Sequence, residues 1–181
     1  MWYQLSDMVL EHQDHAITQC RDKVYIFDEQ RVGPGKSCVL EYYMHSCNSW
    51  GTVQATAMDL EEDINSFSSV SVLNGRLYAI GSYSGLIFIY HPEKNEWDLM
   101  KLPRYQWRTC GIADGRHPYI IGGSSSLTEP GSTTAKRLDP SAERWDDLAA
   151  MNEARHDAYG AAMNSRWNSK ERYDLYSAEH M

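Results

Sequence analysis

The chain lacks most of the features that would tie it to a membrane, a nucleic acid or a secreted setting. No run of apolar residues among its 181 is long enough to span a bilayer as a helix. Lys and Arg number 17 against 25 Asp and Glu, a formal net charge of −8, which disfavours nonspecific binding to nucleic acid or anionic lipid. The segment MWYQLSDMVLEHQD has no basic region followed by an apolar stretch, so no signal peptide is expected. Cysteine is sparse: Cys20, Cys38, Cys47 and Cys110 have no CxxC spacing, and no Asn-x-Ser/Thr sequon occurs. Free thiols in a cytoplasmic setting are the simplest expectation. A nucleophile-elbow motif and zinc-ligand spacing are both missing.

What the chain does have is a grid of tryptophans. Trp2, Trp50, Trp97 and Trp145 lie 48, 47 and 48 residues apart. A period of roughly 45–50 residues matches one four-stranded propeller blade per repeat. Seven positions before three of these tryptophans stand Tyr43, Tyr90 and Leu138, in the segments YMHSCNSW, YHPEKNEW and LDPSAERW. Each reads as a strand, a polar turn and a second strand beginning at the Trp. Pro92 and Pro140 suit the turn because their φ is already set.

A second landmark is an apolar strand preceded by a tight turn: RDKVYIFDE, LNGRLYAIGS and ADGRHPYIIGG. Tyr25, Tyr78 and Tyr119 each precede by three residues the position filled by Asp28, Gly81 and Gly122. Asn74-Gly75 and Asp114-Gly115 predict two-residue type I′ hairpins, with Asp22-Lys23 a poorer turn at the same place. One unit therefore reads strand, tight turn, apolar strand ending near Gly-Gly, variable loop, strand ending in Tyr, polar turn, Trp strand. That is a four-stranded antiparallel meander. Glycines after the apolar strand imply close packing or positive φ where the chain leaves the sheet.

These residues resemble kelch repeats, whose pattern is a Gly-Gly doublet, then a Tyr, then a Trp. Gly122-Gly123, Leu138 and Trp145 give one match; Gly81-Ser82, Tyr90 and Trp97 give another. The first unit departs, with Asp28-Glu29 in place of the doublet and an extra polar stretch before Cys38. The resemblance covers about residues 1–165: a blade end at 1–12, repeats at about 13–60, 61–104 and 105–153, and the start of a further blade at 154–165. Residues 166–181 are expected to be an irregular or short helical tail. The fold expectation is all-β: kelch-type blades forming an incomplete ring or arc, since 181 residues make about 3.8 units where propellers have roughly four to eight blades. A small closed propeller is the alternative. An open arc would expose blade edges and favour self-association.

Motifs that suggest chemistry have plainer readings. GPGKS at 33–37 lacks the first glycine of a phosphate loop, with Gln30 in its place, and is followed by the strand-like CVLEYY; a surface-loop turn is the better reading. His12 and His15, flanked by Glu11 and Asp14, could present metal ligands on a helix, but a solvated linker between blades fits better. The acidic run DLEED at 59–63 reads as a solvated loop. No catalytic residue, metal site or cofactor is assigned.

The kelch resemblance implies a protein or peptide partner held by loops at one propeller mouth. Register picks Glu29, Arg31, Ser82, Tyr83, Ser124 and Ser125 from the loops after the apolar strands. It picks Asn65, Tyr105, Trp107, Arg108 and Arg155 from those preceding new blades. Arg can clamp a carboxylate bidentately, and Tyr and Trp give rigid contact area. By resemblance, the function expected is a protein-binding module, such as partner or substrate recognition in cullin-ligase adaptors, with no cullin-binding module in these residues. A cytoskeletal, actin-type scaffold is the alternative. A kelch-fold oxidase, with copper held by Tyr and His, is a weaker one because no matching ligand set is found.

Overall fold

The computed structural model describes residues 4–12, 15–32, 35–53, 66–104, 106–126, 128–161 and 176–178. Three four-stranded antiparallel sheets follow one another along the chain. Blade 1 comprises β1 (Ala16–Cys20), β2 (Lys23–Val32), β3 (Gly35–Met44) and β4 (Ser49–Val53); blade 2 comprises β5 (Phe67–Leu73), β6 (Arg76–Gly81), β7 (Leu86–His91) and β8 (Glu96–Lys101). Blade 3 comprises β9 (Cys110–Ala113), β10 (Pro118–Ile121), β11 (Ala135–Asp139) and β12 (Arg144–Asp147). A two-stranded sheet of β13 (Tyr159–Ala161) and β14 (Tyr176–Ala178) follows. The inner strands β1, β5, β9 and β13 lie side by side in that order, so the blades fan around a common axis.

The tryptophan grid is a cross-strand register. Tyr43 pairs with Trp50, Tyr90 with Trp97 and Leu138 with Trp145. The aromatic pairs have ring centroids 5.2 and 4.8 Å apart. The Tyr43 hydroxyl donates to Asn48 Oδ1 at 2.9 Å, and that of Tyr90 to Asn95 Oδ1 at 3.0 Å. These asparagines occupy the left-handed position of the polar turn, at φ 46° and 55°; Glu143 fills it in blade 3 at φ 48°. Asn tolerates this region better than Glu does, because its short polar side chain bonds locally.

Alternate residues of each blade face opposite neighbours, which builds two apolar layers. Tyr25, Phe27 and Leu40 of blade 1 meet Phe67, Leu77, Phe88 and Tyr90 of blade 2. Tyr78, Ile80, Ile87 and Ile89 on the other face of blade 2 meet Ile120 and Leu138 of blade 3, with Leu102 from the intervening loop. Phe27, Leu40, Leu77 and Phe88 are fully buried.

The turns answer the sequence expectations unevenly. Asn74-Gly75 is a two-residue turn with φ 51° and 73°, as type I′ requires. In blade 1 the two-residue turn is Arg21-Asp22, one position earlier than expected, because Cys20 pairs with Lys23. Asp114-Gly115 is not a type I′ turn. Ala113 pairs with Pro118, leaving a four-residue loop. The Asp114 carboxylate caps that loop, accepting the backbone N–H groups of Arg116 and His117, each at 2.8 Å, and the Tyr119 hydroxyl at 2.7 Å. Burial pushes the Asp114 carboxyl up, and those three donors outweigh it, so it titrates below its ordinary value.

Two further segments differ from their expectations. Gly35–Ser37 of GPGKS belong to β3, not to a long loop: β2 and β3 run on in register to Arg31↔Lys36 and Val32↔Gly35. The stretch foreseen as an irregular or helical tail contributes β14, which pairs with β13. Trp2 and the DLEED run lie outside the described residues.

Candidate functional site

At the end of the fan where β6 and β10 stop, the chain encloses a cleft of ≈ 480 Å³. Its walls come from the starts of all four inner strands: His15–Ile17, Ser66–Val70, Thr109–Gly111 and Asp157–Gly160. Ser82, Tyr83 and Arg108 complete the rim. The lining is rich in hydroxyls because β5 reads FSSVSVL, with a bulge between Phe67 and Ser69. Ser69 Oγ accepts the Gly111 N–H at 2.7 Å, stitching the inner strands of blades 2 and 3.

The rim loops interlock through their backbones. Ser82 N–H donates to the Ser66 carbonyl at 2.8 Å, and the Ser82 carbonyl accepts the Arg108 N–H at 2.9 Å. Trp107 and Ser124 exchange two hydrogen bonds, both 2.8 Å. Gly123 N–H donates to the Arg155 carbonyl at 2.9 Å. The Gly-Gly doublet makes this close approach possible. Gly122 and Gly123 have φ 66° and 94°, and a Cβ on Gly123 would sit 2.4 Å from Thr109 Cγ2 and 2.9 Å from the Trp107 carbonyl oxygen. The doublet is thus a crossing point of backbones, which is why the pattern demands glycine there.

The side chains foreseen for this mouth divide into groups. Tyr83, Trp107 and Arg108 come together: the two rings meet edge to face with centroids 5.7 Å apart, and Arg108 forms an ion pair with Asp157, joining the start of blade 3 to the start of β13. Ser82 and Ser124 are 7% and 1% exposed, and their hydrogen bonds hold neighbouring loops. Ser125 is exposed on the loop after β10. Arg155 pairs with Glu153 at 2.9 Å beside the rim and does not line the cleft. Glu29 and Arg31 sit on the β2 extension, in ladder pairs with Cys38 and Lys36. Asn65 and Tyr105 lie outside the described residues.

Sequence reasoning missed Asp157, Tyr159 and the serines of β5. Arg108 and Asp157 each stand two residues before an inner strand in the left-handed region, at φ 58° and 50°. Their common register was readable; their pairing across two repeats was not. The cleft holds one cationic and one anionic side chain, already matched. Burial pushes the Cys110 thiol up to about 11, so the wall carries no thiolate near neutrality. Among the described residues no group of three or more His, Cys, Asp or Glu is placed to hold a metal, and no helix is long and apolar enough to cross a membrane.

No family model matches the chain. It is similar to human Kelch-like protein 23, 26% identical over 106 residues, covering 54% of this chain and 18% of that protein. It is similar to human Kelch-like protein 28, 30% identical over 94 residues, covering 44% and 16%. It is similar to Kelch repeat and BTB domain-containing protein 1 of Cowpox virus (strain GRI-90 / Grishak), 28% identical over 131 residues, covering 67% and 22%. The match thus spans about a fifth of the length of these relatives. Among solved structures, "Structure of YjhT", a kelch-type propeller, aligns with a TM-score of 0.67 at 11% identity, over 88% of this chain and 59% of that one. The blades described above are thus similar to kelch repeats in sequence, and their fold is that of kelch-type propeller blades.

Proposed function

We propose that this kelch-repeat chain is a protein-binding module that takes a peptide segment of a partner at the cleft. The observation that carries the reading is the cleft itself: hydroxyls, the Tyr83 ring and a matched Arg–Asp pair, contributed by successive repeats around one axis. Such a wall can hydrogen-bond an extended backbone through Ser66 and Ser68 and give Tyr83 as a rigid contact. The Arg108 guanidinium would exchange Asp157 for a carboxylate of the ligand. Similarity to Kelch-like proteins supports partner recognition, and we read it as recognition of the adaptor kind.

A photo-cross-linking side chain at exposed Ser125 tests this. The expected result is capture of a discrete partner that is lost in Tyr83→Ala and Arg108→Ala. The same group at Glu143, on the β11–β12 turn at the far end of blade 3, should capture nothing. Equal capture from both positions, or capture indifferent to Arg108, would rule the cleft out.

A further inference from the structure

Blade 1 turns one face onto blade 2 and the other away from it. The second face is the register equivalent of the face that blade 2 presses onto blade 1. Counting from the tight turns and the Tyr–Trp pairs, Ile26 corresponds to Ala79, Asp28 to Gly81, Glu41 to Phe88 and Tyr43 to Tyr90. Blade 2 is apolar at these places, with Phe88 closing over Gly81. Blade 3 has Gly122 and Lys136 there, the lysine paired with Asp147 at the edge. Among the described residues, blade 1 alone buries carboxylates, Asp28 at 4% and Glu41 at 0% exposed.

Residues 4–12 lie across that face. Trp50 Nε1 donates to the Ser6 carbonyl at 2.9 Å, and Ser6 N–H donates to Asn48 Oδ1 at 3.1 Å. Val9 N–H donates to Glu41 Oε1 at 2.6 Å. The His12 side chain, 1% exposed, stands between the carboxylates, with Nδ1 3.0 Å from Asp28 Oδ2 and Nε2 2.6 Å from Glu41 Oε2. Most of residues 4–12 are exposed, as a solvated linker would be, but the histidine expected to face water has a buried side chain. Both ring nitrogens thus face carboxylate oxygens, and a hydrogen bond to a carboxylate is charge-assisted.

We propose that residues 4–12 are a strap and that the His12–Asp28–Glu41 cluster is the lock that makes this blade face selective for it. A buried carboxylate left without its partner is strongly unfavourable. An apolar blade face, whether of this chain or of a second copy, supplies no donor to Glu41, whereas the strap supplies His12 and the Val9 amide. The lock therefore accepts the chain's own segment and rejects an apolar substitute, a use of buried polar groups that favours specificity over raw stability. Releasing the strap uncovers Ile26, Tyr43 and Trp50, and blade 1 then offers an adhesive face.

Hydrogen exchange on the full chain, followed in peptides covering the strap and covering β6–β7, tests the lock. In His12→Ala the strap amides should exchange about tenfold faster or more, with β6–β7 unchanged. Glu41→Gln, milder and kinder to folding, should move the strap in the same direction. The proposal fails if the strap is unprotected in the native chain, if neither variant changes its exchange, or if strap and β6–β7 accelerate together in both. A combined variant carrying His12→Leu, Asp28→Gly and Glu41→Phe copies blade 2. It should fold and self-associate more strongly than the native chain in sedimentation; association no stronger than native would overturn the selectivity.

Discussion

The two faces of blade 1 are built from the same strands and obey opposite rules. The face toward blade 2 is sealed chiefly by packing, with Phe27 and Leu40 against Phe67 and Phe88 and polar contacts from Cys20 and Arg21 only at its edge. The face turned away is sealed by a strap whose contacts are hydrogen bonds and charges at Ser6, Val9 and His12. A repeat protein can therefore change what a face accepts without changing its fold, by replacing two residues on one side of a sheet. Alternation along each strand makes this possible, since Glu41 lies between Leu40 and Tyr42, which point the other way.

The largest effect should come from the apolar face. Phe88→Ala removes a fully buried ring between blades, with no solvent able to fill the gap, and should cost about 3–5 kcal/mol in chemical denaturation. A smaller loss would mean that the blades relax onto each other and that the interface is not close-packed.

The polar face should respond less. His12→Ala strips both carboxylates of a partner, but the strap can swing away and admit water. The global cost is then limited to the strap's own docking, about 1–3 kcal/mol by the same measurement. A cost equal to that of Phe88→Ala would erase the distinction between the faces.

How much of this was legible in the sequence follows the range of each interaction. The blade period, the Tyr–Trp pairs and the Asn74-Gly75 turn are local patterns, and each could be read from spacing. Asp114-Gly115 misled because the dipeptide signals a tight turn, whereas Pro118 closes the ladder and Asp114 caps four residues instead. GPGKS misled in the same way, since nothing nearby marks the β2–β3 hairpin as extended. In the cleft, Tyr83 and Arg108 were found by register, while Asp157 was not. His12 was weighed only with its sequence neighbours; its partners are 16 and 29 residues away.

The paired tyrosines offer a finer version of the comparison. Tyr90→Phe deletes the hydroxyl that donates to Asn95 Oδ1 on the apolar interface, and should cost about 1 kcal/mol. Tyr43→Phe deletes the equivalent bond on the strapped face. There Asn48 Oδ1 keeps the Ser6 N–H as a second donor, so the cost should be smaller. Reversal of this order in matched melts would place the strap off the blade.

The smallest effect is expected at alkaline pH, where burial alone separates otherwise similar groups. The Tyr25 hydroxyl, between blades 1 and 2, is pushed by burial up to about 12 from its ordinary 10.0, and the Cys110 thiol up to about 11 from 9.0. Both folded values are raised, so the folded chain holds protons that the unfolded chain releases. Their contribution is complete below the unfolded values and is lost as pH rises through the folded ones. For Cys110 the window is pH 9 to about 11. Cys110→Ala should flatten the decline of stability across that window, while Cys47→Ala, at an exposed turn, should leave it unchanged. Thiol labelling gives an independent reading at neutral pH: Cys47 should react quickly and Cys110 slowly, because its wall excludes both water and the thiolate. Equal labelling rates would mean that the Cys110 thiol, on the inner strand β9, is open to solvent rather than buried.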